Sequence, residues 1–190
     1  MGHSQAGKAV SRERILSLAS AQIRKDGLQS LSVGKLMGKA GLTHGGFYGH
    51  FKSREALLAK ALERALSDGA SAARAAGQNR PASFSGFVRR YLSRAHRDAP
   101  DTGCAIAALA GDVGRADPAS RVVMESSIES LIASVADQLG GDDEREAITA
   151  VAAMVGALPL SRVVTDPKRS DAILRAVREE LMALAPREAD

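Results

Sequence analysis

Apolar residues recur at intervals of three and four along almost the whole chain, and this helical spacing is the feature that most constrains its fold. No stretch longer than a few residues shows the alternating, β-branched pattern of a strand. Two Asp-Pro pairs, Asp117-Pro118 and Asp166-Pro167, each combine an N-cap residue with a proline suited to the first helical position. We therefore predict an all-α chain of about nine helices.

The first sixty residues predict a helix-turn-helix. We expect a flexible tail over residues 1–10 and a first helix that starts after Ser11. Ser32 can cap a short second helix, Gly41 can supply the left-handed residue of a tight turn, and Thr43 can begin a third short helix. Two helices joined by such a turn, preceded by a third, are typical of DNA-binding modules.

Positive charge is concentrated in the same region. Residues 1–60 hold ten Lys/Arg and three Asp/Glu, a net charge of +7, whereas residues 61–190 hold sixteen and nineteen, a net charge of −3. A basic module joined to a slightly acidic body is the distribution expected when one end of a protein meets phosphate groups. The alternative is chance unevenness among solvated helix faces.

The segment KLMGKAGLTHGGFYGHFKSREALL, residues 35–58, resembles the signature of the TetR family of repressors. The matching residues are Ala40, Gly41, Leu42, Thr43, Phe47, Tyr48, His50, Phe51, Ser53, Glu55, Leu57 and Leu58. Arg54 departs from the lysine usual in the family and keeps the charge. The resemblance implies a helix-turn-helix DNA-binding domain at residues 11–56 and a ligand-binding and dimerisation domain at residues 57–190.

Eight residues are predicted to contact double-stranded operator DNA. The hydroxyl of Thr43 can cap the third helix and reach a phosphate or a base edge. The resemblance implies that Tyr48 and His50 contact phosphates, and Lys52 lies close to them in sequence. The predicted contacts are Lys35, Lys39, Thr43, His44, Gly45, Tyr48, His50 and Lys52.

Three glycines, Gly45, Gly46 and Gly49, are unusual in so short a helix, since each costs on the order of 1 kcal/mol relative to alanine. We hypothesise that they allow the backbone to approach DNA closely. The alternative is that packing of Phe47 and Phe51 stabilises the segment whatever its helix propensity.

The resemblance also implies that the last two helices, expected at residues 143–164 and 167–185, pair with those of a second copy, as a palindromic operator requires. The candidate interface residues are Val151, Val155, Leu158, Ile173, Val177 and Leu181. An ordinary core within one chain is the alternative interpretation of these apolar residues.

Cys104 is the single cysteine, which excludes an intrachain disulfide framework and a cysteine-rich zinc site. The sequence around it resembles a stretch in an electrophile-responsive branch of the family, which implies a thiol sensor; a small buried apolar residue is the alternative. Any other inducer is expected in an aliphatic pocket. The predicted sensing residues are Cys104, Phe87, Tyr91, Ile106, Met124 and Ile128, with Phe84, Leu109 and Leu131 as further pocket candidates.

Two other function classes remain as alternatives. One is an enzyme with Cys104 as nucleophile and His96 as base. The other is a helical adaptor that binds nucleic acid without sequence preference. We expect no cofactor, no metal and no membrane partner, and a cytoplasmic protein, since the first residues lack the apolar centre of a signal peptide.

Overall fold

A computed structural model describes residues 5–75, 83–140 and 144–185. Across these residues the ordered elements are helices, which confirms the all-α prediction. The α-helices are α1 (Gln5–Asp26), α2 (Val33–Lys39), α3 (Arg54–Ala75), α4 (Phe84–Tyr91), α5 (Arg94–Arg97), α6 (Ala105–Val113), α7 (Pro118–Leu139), α8 (Glu144–Val163) and α9 (Pro167–Met182). Two short 3₁₀ helices lie at Leu28–Ser30 and His44–Gly49.

Helix α1 begins earlier than predicted, at Gln5 and not after Ser11. The expected tail over residues 1–10 is therefore helical from residue 5 onward, while residues 1–4 lie outside the described part of the chain. Residues 6–9 include two alanines and a lysine, which favour a helix, and extending an existing helix gains one hydrogen bond for each residue fixed. Composition therefore outweighed the N-cap signal at Ser11.

The Asp-Pro helix starts are confirmed by their hydrogen bonds. The Asp117 carboxylate accepts the Ser120 N–H at 2.9 Å, and the Asp166 carboxylate accepts the Lys168 N–H at 3.0 Å. Ser32 precedes α2 as predicted, but its side chain forms no capping hydrogen bond.

The first of two hydrophobic clusters joins α1, α2 and α3 to α6 and the start of α7. Its fully buried side chains come from every one of the first three helices, as Ile15, Leu36 and Leu57 illustrate. Helix α3, which begins next to the predicted domain boundary at 56/57, thus packs with the helix-turn-helix and reaches towards the body. The boundary itself stays a prediction.

Polar contacts hold both ends of α6 to this N-terminal unit. The Arg24 guanidinium, 7% exposed, donates to the carbonyl oxygens of Asp101 at 2.7 Å and Ala65 at 3.2 Å. Near the other end of α6, the Asp112 carboxylate accepts the N–H of Leu28 at 2.9 Å. A displacement of α6 therefore has to break the hydrogen bond of Arg24 to Asp101 or that of Leu28 to Asp112.

The second hydrophobic cluster is formed by α4, α7, α8 and α9. Four half-buried side chains pack against both clusters and mark their junction: Cys104, Ile128, Leu131 and Val155. By length and composition alone, α8 is apolar enough to cross a membrane, a test that core helices also pass. One face of α8 does pack in this core, with Ala147, Met154 and Leu158 fully or almost fully buried.

Candidate nucleic-acid interface

A tight turn connects α2 to the second 3₁₀ helix. Gly41 adopts φ +71°, the left-handed conformation predicted for it. The N–H of Gly41 donates to the Gly38 carbonyl at 3.0 Å, and the N–H of Leu42 donates to the Met37 carbonyl at 2.9 Å. The turn thus fixes how the following segment, His44–Gly49, leaves α2.

The predicted third helix is a 3₁₀ helix, and Thr43 does not cap it with its side chain. The N–H of Gly46 is instead bonded to the Thr43 carbonyl at 3.1 Å, the i to i+3 bond that defines this helix. Three glycines in six residues disfavour a regular α-helix, which explains the difference. The Thr43 hydroxyl is exposed and takes no part in capping.

Two phenylalanines attach the 3₁₀ helix to the first cluster. Phe47 and Phe51 are 2% and 4% exposed, and their ring centroids lie 5.8 Å apart. Tyr48, between them in sequence, packs its edge against Phe47 at 5.3 Å but is 71% exposed. A phenol this exposed beside two buried rings is available to an external partner.

The structure places the predicted DNA-contacting residues on α2, on the second 3₁₀ helix and on the residues that flank this helix. Seven of them are exposed: Lys35, Lys39, Thr43, His44, Gly45, Tyr48 and Lys52. His50 is half-buried, and its carbonyl accepts a hydrogen bond from Arg12 at 2.6 Å. The three lysines form no ion pair with any described residue, so their charge is uncompensated on this surface.

Nothing inside the described part of the chain requires glycine at 45 or 49. A Cβ added at either position would meet no atom within 4 Å. At Gly46 the nearest atom would be the Thr43 hydroxyl oxygen at 3.5 Å, an ordinary contact. None of the three glycines has a positive φ, unlike Gly41. Their presence is therefore not explained by folding.

Two arginines of α1 support this surface and escaped the sequence analysis. Arg12 bonds to the His50 carbonyl and lies 4.3 Å from the centre of the Phe51 ring. Arg14 donates to the Ala40 carbonyl at 3.3 Å. Their charge is visible in the sequence, but their partners are backbone groups 26 and 38 residues away, for which a sequence carries no local signal.

The second predicted site surrounds Cys104, which precedes α6 as its N-cap residue and is half-buried. The backbone N–H of Cys104 donates to Nε2 of His96 at 2.9 Å, and Nδ1 of the same ring bonds to the Tyr91 carbonyl at 2.8 Å. The carbonyl requires a donor, so the ring is neutral with its proton on Nδ1. Burial lowers the pKa of His96, which favours this neutral form.

This geometry argues against His96 as the base of a cysteine enzyme, because both ring nitrogens are engaged with backbone groups. It also removes His96 as a cation that could activate the thiol. No group of three or more His, Cys, Asp or Glu residues is placed to hold a metal ion in the described ranges.

The Tyr91 hydroxyl faces Cys104. The tyrosine is 7% exposed, and its hydroxyl has no well-formed hydrogen bond to any described residue. Burial raises the pKa of Tyr91 well above 10.0, and its interaction with the Cys104 thiol raises it further, although the geometry falls short of a hydrogen bond. The guanidinium groups of Arg24 and Arg162 also interact electrostatically with Cys104.

The other predicted pocket residues lie in the packed interior. Phe84, Ile106, Leu109 and Met124 are buried, and Phe87, Ile128 and Leu131 are half-buried. None of them lines the two surface depressions of about 270 and 330 Å³ near α5 and α9. Those depressions are lined largely by polar and charged side chains, including Arg97, Arg162, Arg94 and Arg178.

The candidate dimer residues divide into two groups. Val151, Leu158 and Leu181 are buried in the second cluster of one chain, as the alternative core interpretation expects, and their part in an interface stays a prediction. Val155, Ile173 and Val177 are half-buried. The apolar side chains that α8 exposes are others, namely Ile148, Leu160 and Val163, the last of them 77% exposed.

The comparisons with known proteins agree with this architecture. The family model "Bacterial regulatory proteins, tetR family" matches residues 15–61. The fold is similar to that of the reduced form of E. coli NemR, with a TM-score of 0.77, 18% identity and coverage of 95% of this chain and 100% of that one. No curated protein matches the sequence significantly.

Two structures of TetR-family transcriptional regulators are also similar. For the regulator from Cytophaga hutchinsonii the TM-score is 0.80, with 18% identity and coverage of 99% of this chain and 100% of that one. For the regulator from Chloroflexus aurantiacus the TM-score is 0.79, with 20% identity and coverage of 95% and 98%. At such identities these likenesses establish the fold.

Proposed function

We propose that this chain is a DNA-binding transcriptional regulator of the TetR family. On this premise, it acts as a homodimeric repressor that an inducer releases from its operator. The observation that carries this proposal is the surface around the 3₁₀ helix. This surface carries an exposed Tyr48, three lysines that pair with no described residue, and glycines that no contact among the described residues requires.

On this surface the 3₁₀ helix enters the major groove of DNA. Thr43 and His44, at its start, read base edges, since the N-terminal residues of a recognition helix reach furthest into the groove. Tyr48 and Lys52, at and beyond its other end, contact phosphates, and Lys35 and Lys39 contribute charge from α2. No acidic side chain among the described residues is paired with these lysines, which favours a polyanion as ligand.

Homodimerisation accounts for the exposed face of α8. Ile148, Leu160 and Val163 would pair with their counterparts across a two-fold axis, because an isologous interface places the same patch on both copies. Two recognition segments related by that axis match the half-sites of a palindromic operator about one DNA turn apart.

Release follows if an inducer favours a state in which the recognition segments have the wrong separation. An aliphatic ligand between the central helices is one candidate, with Phe87, Ile128 and Leu131 at the incompletely buried contacts.

The surroundings of Cys104 favour an electrophile as a second candidate. Two guanidinium groups, those of Arg24 and Arg162, interact electrostatically with Cys104. The Tyr91 hydroxyl beside it has no hydrogen-bond partner among the described residues and could donate to a new acceptor. Addition of the sulfur to the double bond of a maleimide forms one C–S bond, and the thiol proton ends on the adjacent carbon. The adduct would enlarge a residue at the junction of both clusters, close to the Arg24 contact that joins α1 to the same loop.

The protein would therefore act in the cytoplasm, on DNA, without catalysing a reaction. The adaptor alternative predicts binding that depends on salt but not on sequence. A gel-shift titration with the DNA that flanks the gene of this protein, in the presence of random competitor DNA, separates the two. Binding that resists competitor supports the repressor, and equal binding to all fragments supports the adaptor.

The same assay tests the inducer when it is repeated after treatment with N-ethylmaleimide. Loss of binding in the unmodified chain and its retention in Cys104→Ser support the thiol sensor. Loss of binding in both proteins would exclude Cys104 as the site of action. Retention in both would leave the noncovalent inducer as the proposal to pursue.

A further inference from the structure

The N-terminal turns of α1 lie beside the candidate DNA-binding surface. Arg12 contacts the His50 carbonyl, just before α3, while Arg24 contacts the Ala65 carbonyl, well inside α3. The Arg12 contact places the N-terminal half of α1 beside the residue that ends the 3₁₀ helix. The start of α1 lies at the end of the domain where the 3₁₀ helix ends and α3 begins, next to Lys52.

Lys8 occupies the turn of α1 before Arg12. Residues four apart lie on the same face of a helix, separated by about 6 Å along its axis. Because Arg12 faces the backbone at His50, Lys8 lies on the same side and one turn further out. Its side chain is exposed and forms no ion pair or hydrogen bond with any described residue.

The charges around Lys8 favour an anionic partner. The first turn of α1 contains no acidic residue. Glu13, the nearest carboxylate in the sequence, is engaged by Arg64 of α3. Lys8, Arg12 and Lys52 thus follow one edge of the domain without acidic side chains bonded to Lys8 or Lys52.

We propose that Lys8 contacts a DNA phosphate flanking the bases read by the 3₁₀ helix. Arg12, by bonding to His50 and covering Phe51, holds this turn of α1 against the domain. The contact orients the protein on the duplex but carries no sequence information, since it reaches only the backbone. This inference rests on the proposed function, because it assumes that the same face meets DNA.

The test is the salt dependence of binding by the full chain, measured by fluorescence anisotropy with a mixed-sequence 30-bp duplex. Each phosphate contact contributes about 0.9 to the slope of log K against log salt concentration, so loss of Lys8 from both copies of a dimer reduces the slope by about 1.8. The affinity deficit of Lys8→Gln relative to the unmodified chain should consequently be about 12-fold larger at 50 mM than at 200 mM salt.

Two further variants isolate the role of Lys8. Lys8→Arg keeps the charge and should retain the full slope, whereas Lys168→Gln removes an equally exposed lysine at the start of α9 and should leave the slope unchanged. Lysine and glutamine have similar helix propensities, so the helical content measured by circular dichroism should be the same in all variants.

An unchanged slope in Lys8→Gln would overturn the proposal, as would an equal reduction in Lys168→Gln, which would indicate a general effect of charge. A slope lost in Lys8→Gln and restored in Lys8→Arg supports it. If the unmodified chain shows no preference for any sequence selected from a random library, the proposed regulator fails. The slope on the mixed-sequence duplex would still decide the contact at Lys8.

Discussion

Replacing Gly45 by alanine separates the requirements of folding from those of DNA binding. Residue 45 has no positive φ, and a Cβ there would meet no atom within 4 Å. The substitution therefore adds no strain to the free protein. It restricts the unfolded chain, so we expect the free energy of unfolding to rise by about 0.4–1 kcal/mol. For a chain of this length that corresponds to an increase in Tm of about 1–3 °C.

The effect on DNA affinity should have the opposite sign. If the backbone at Gly45 approaches the duplex closely, the added methyl group separates the 3₁₀ helix from its bases and weakens the contacts that follow. Loss of a single base-edge interaction costs about 1–3 kcal/mol, and 1.4 kcal/mol is tenfold in affinity. We therefore expect Gly45→Ala to bind its operator at least about fivefold more weakly while it unfolds at a higher temperature.

Two other glycines provide matched controls. Gly69, in α3, also has open space at its Cβ, so Gly69→Ala should raise Tm by a similar amount and leave DNA affinity unchanged. Gly27 has φ +84°, and its Cβ would lie 2.8 Å from the Asp112 carboxylate, so Gly27→Ala should lower Tm. The assays are thermal unfolding and anisotropy titration. A Gly45→Ala protein with raised Tm and full affinity would refute close approach, and one with lowered Tm would refute the inference of open space.

Further predictions concern the body of the protein. Val163→Glu should convert the predicted dimer to a monomer, as measured by light scattering. Val122→Glu, at a similarly exposed valine of α7, should leave the dimer intact. If Val163→Glu is still a dimer, this face of α8 is excluded as the interface. Burial lowers the pKa of His96 below 6.5, so near that pH the folded chain binds fewer protons than the unfolded chain. The resulting contribution to the free energy of unfolding is complete above pH 6.5. It should decline as the pH falls towards the lowered pKa. His96→Gln should lack that decline in pH-dependent unfolding, and an unaltered profile would contradict the assignment. Asp112→Ala should lower the free energy of unfolding in denaturant by about 1 kcal/mol, because the Leu28 N–H loses a partly exposed carboxylate acceptor. Asp112→Asn keeps an acceptor and should lose less. Equal losses in the two variants would point to another cause.

The parts of the fold that could be predicted depend on local signals. The helix starts at Asp117 and Asp166 could be predicted because the capping carboxylate and the N–H that it accepts lie within three residues of each other. The left-handed conformation of Gly41 could be predicted because a tight turn between two helices needs a residue with positive φ, which glycine adopts most readily. The spacing between Phe47 and Phe51 likewise points both rings inward, and both are buried.

Distant contacts account for what the sequence analysis missed. Helix α8 has apolar residues on opposite faces, and its periodicity alone does not say which face meets α7 and α9. In the structure Val151 and Leu158 are buried in the second cluster, whereas Ile148 and Val163 are exposed. The early start of α1 has a different, local cause, because helix propensity extends the helix past the cap predicted at Ser11.

The candidate sites show the same limit. His96 lies eight residues from Cys104, close enough to suggest a catalytic pair, but the ring binds backbone groups and not the thiol. The approach of Arg24 to the loop at Asp101 spans 77 residues and had no counterpart in any motif. The DNA-contacting residues stay a prediction, supported by their exposure and by the absence of internal partners for their lysines within the described residues.

Sequence-specific binding by a symmetric dimer can be examined by selecting bound duplexes from a random-sequence library with the whole chain. The account predicts enrichment of one palindrome whose half-sites are centred about 10 bp apart or a multiple of that distance, and loss of this enrichment when the contacts of Thr43 and His44 are removed by alanine substitution. Recovery of no common sequence, or of a sequence without two-fold symmetry, would contradict it.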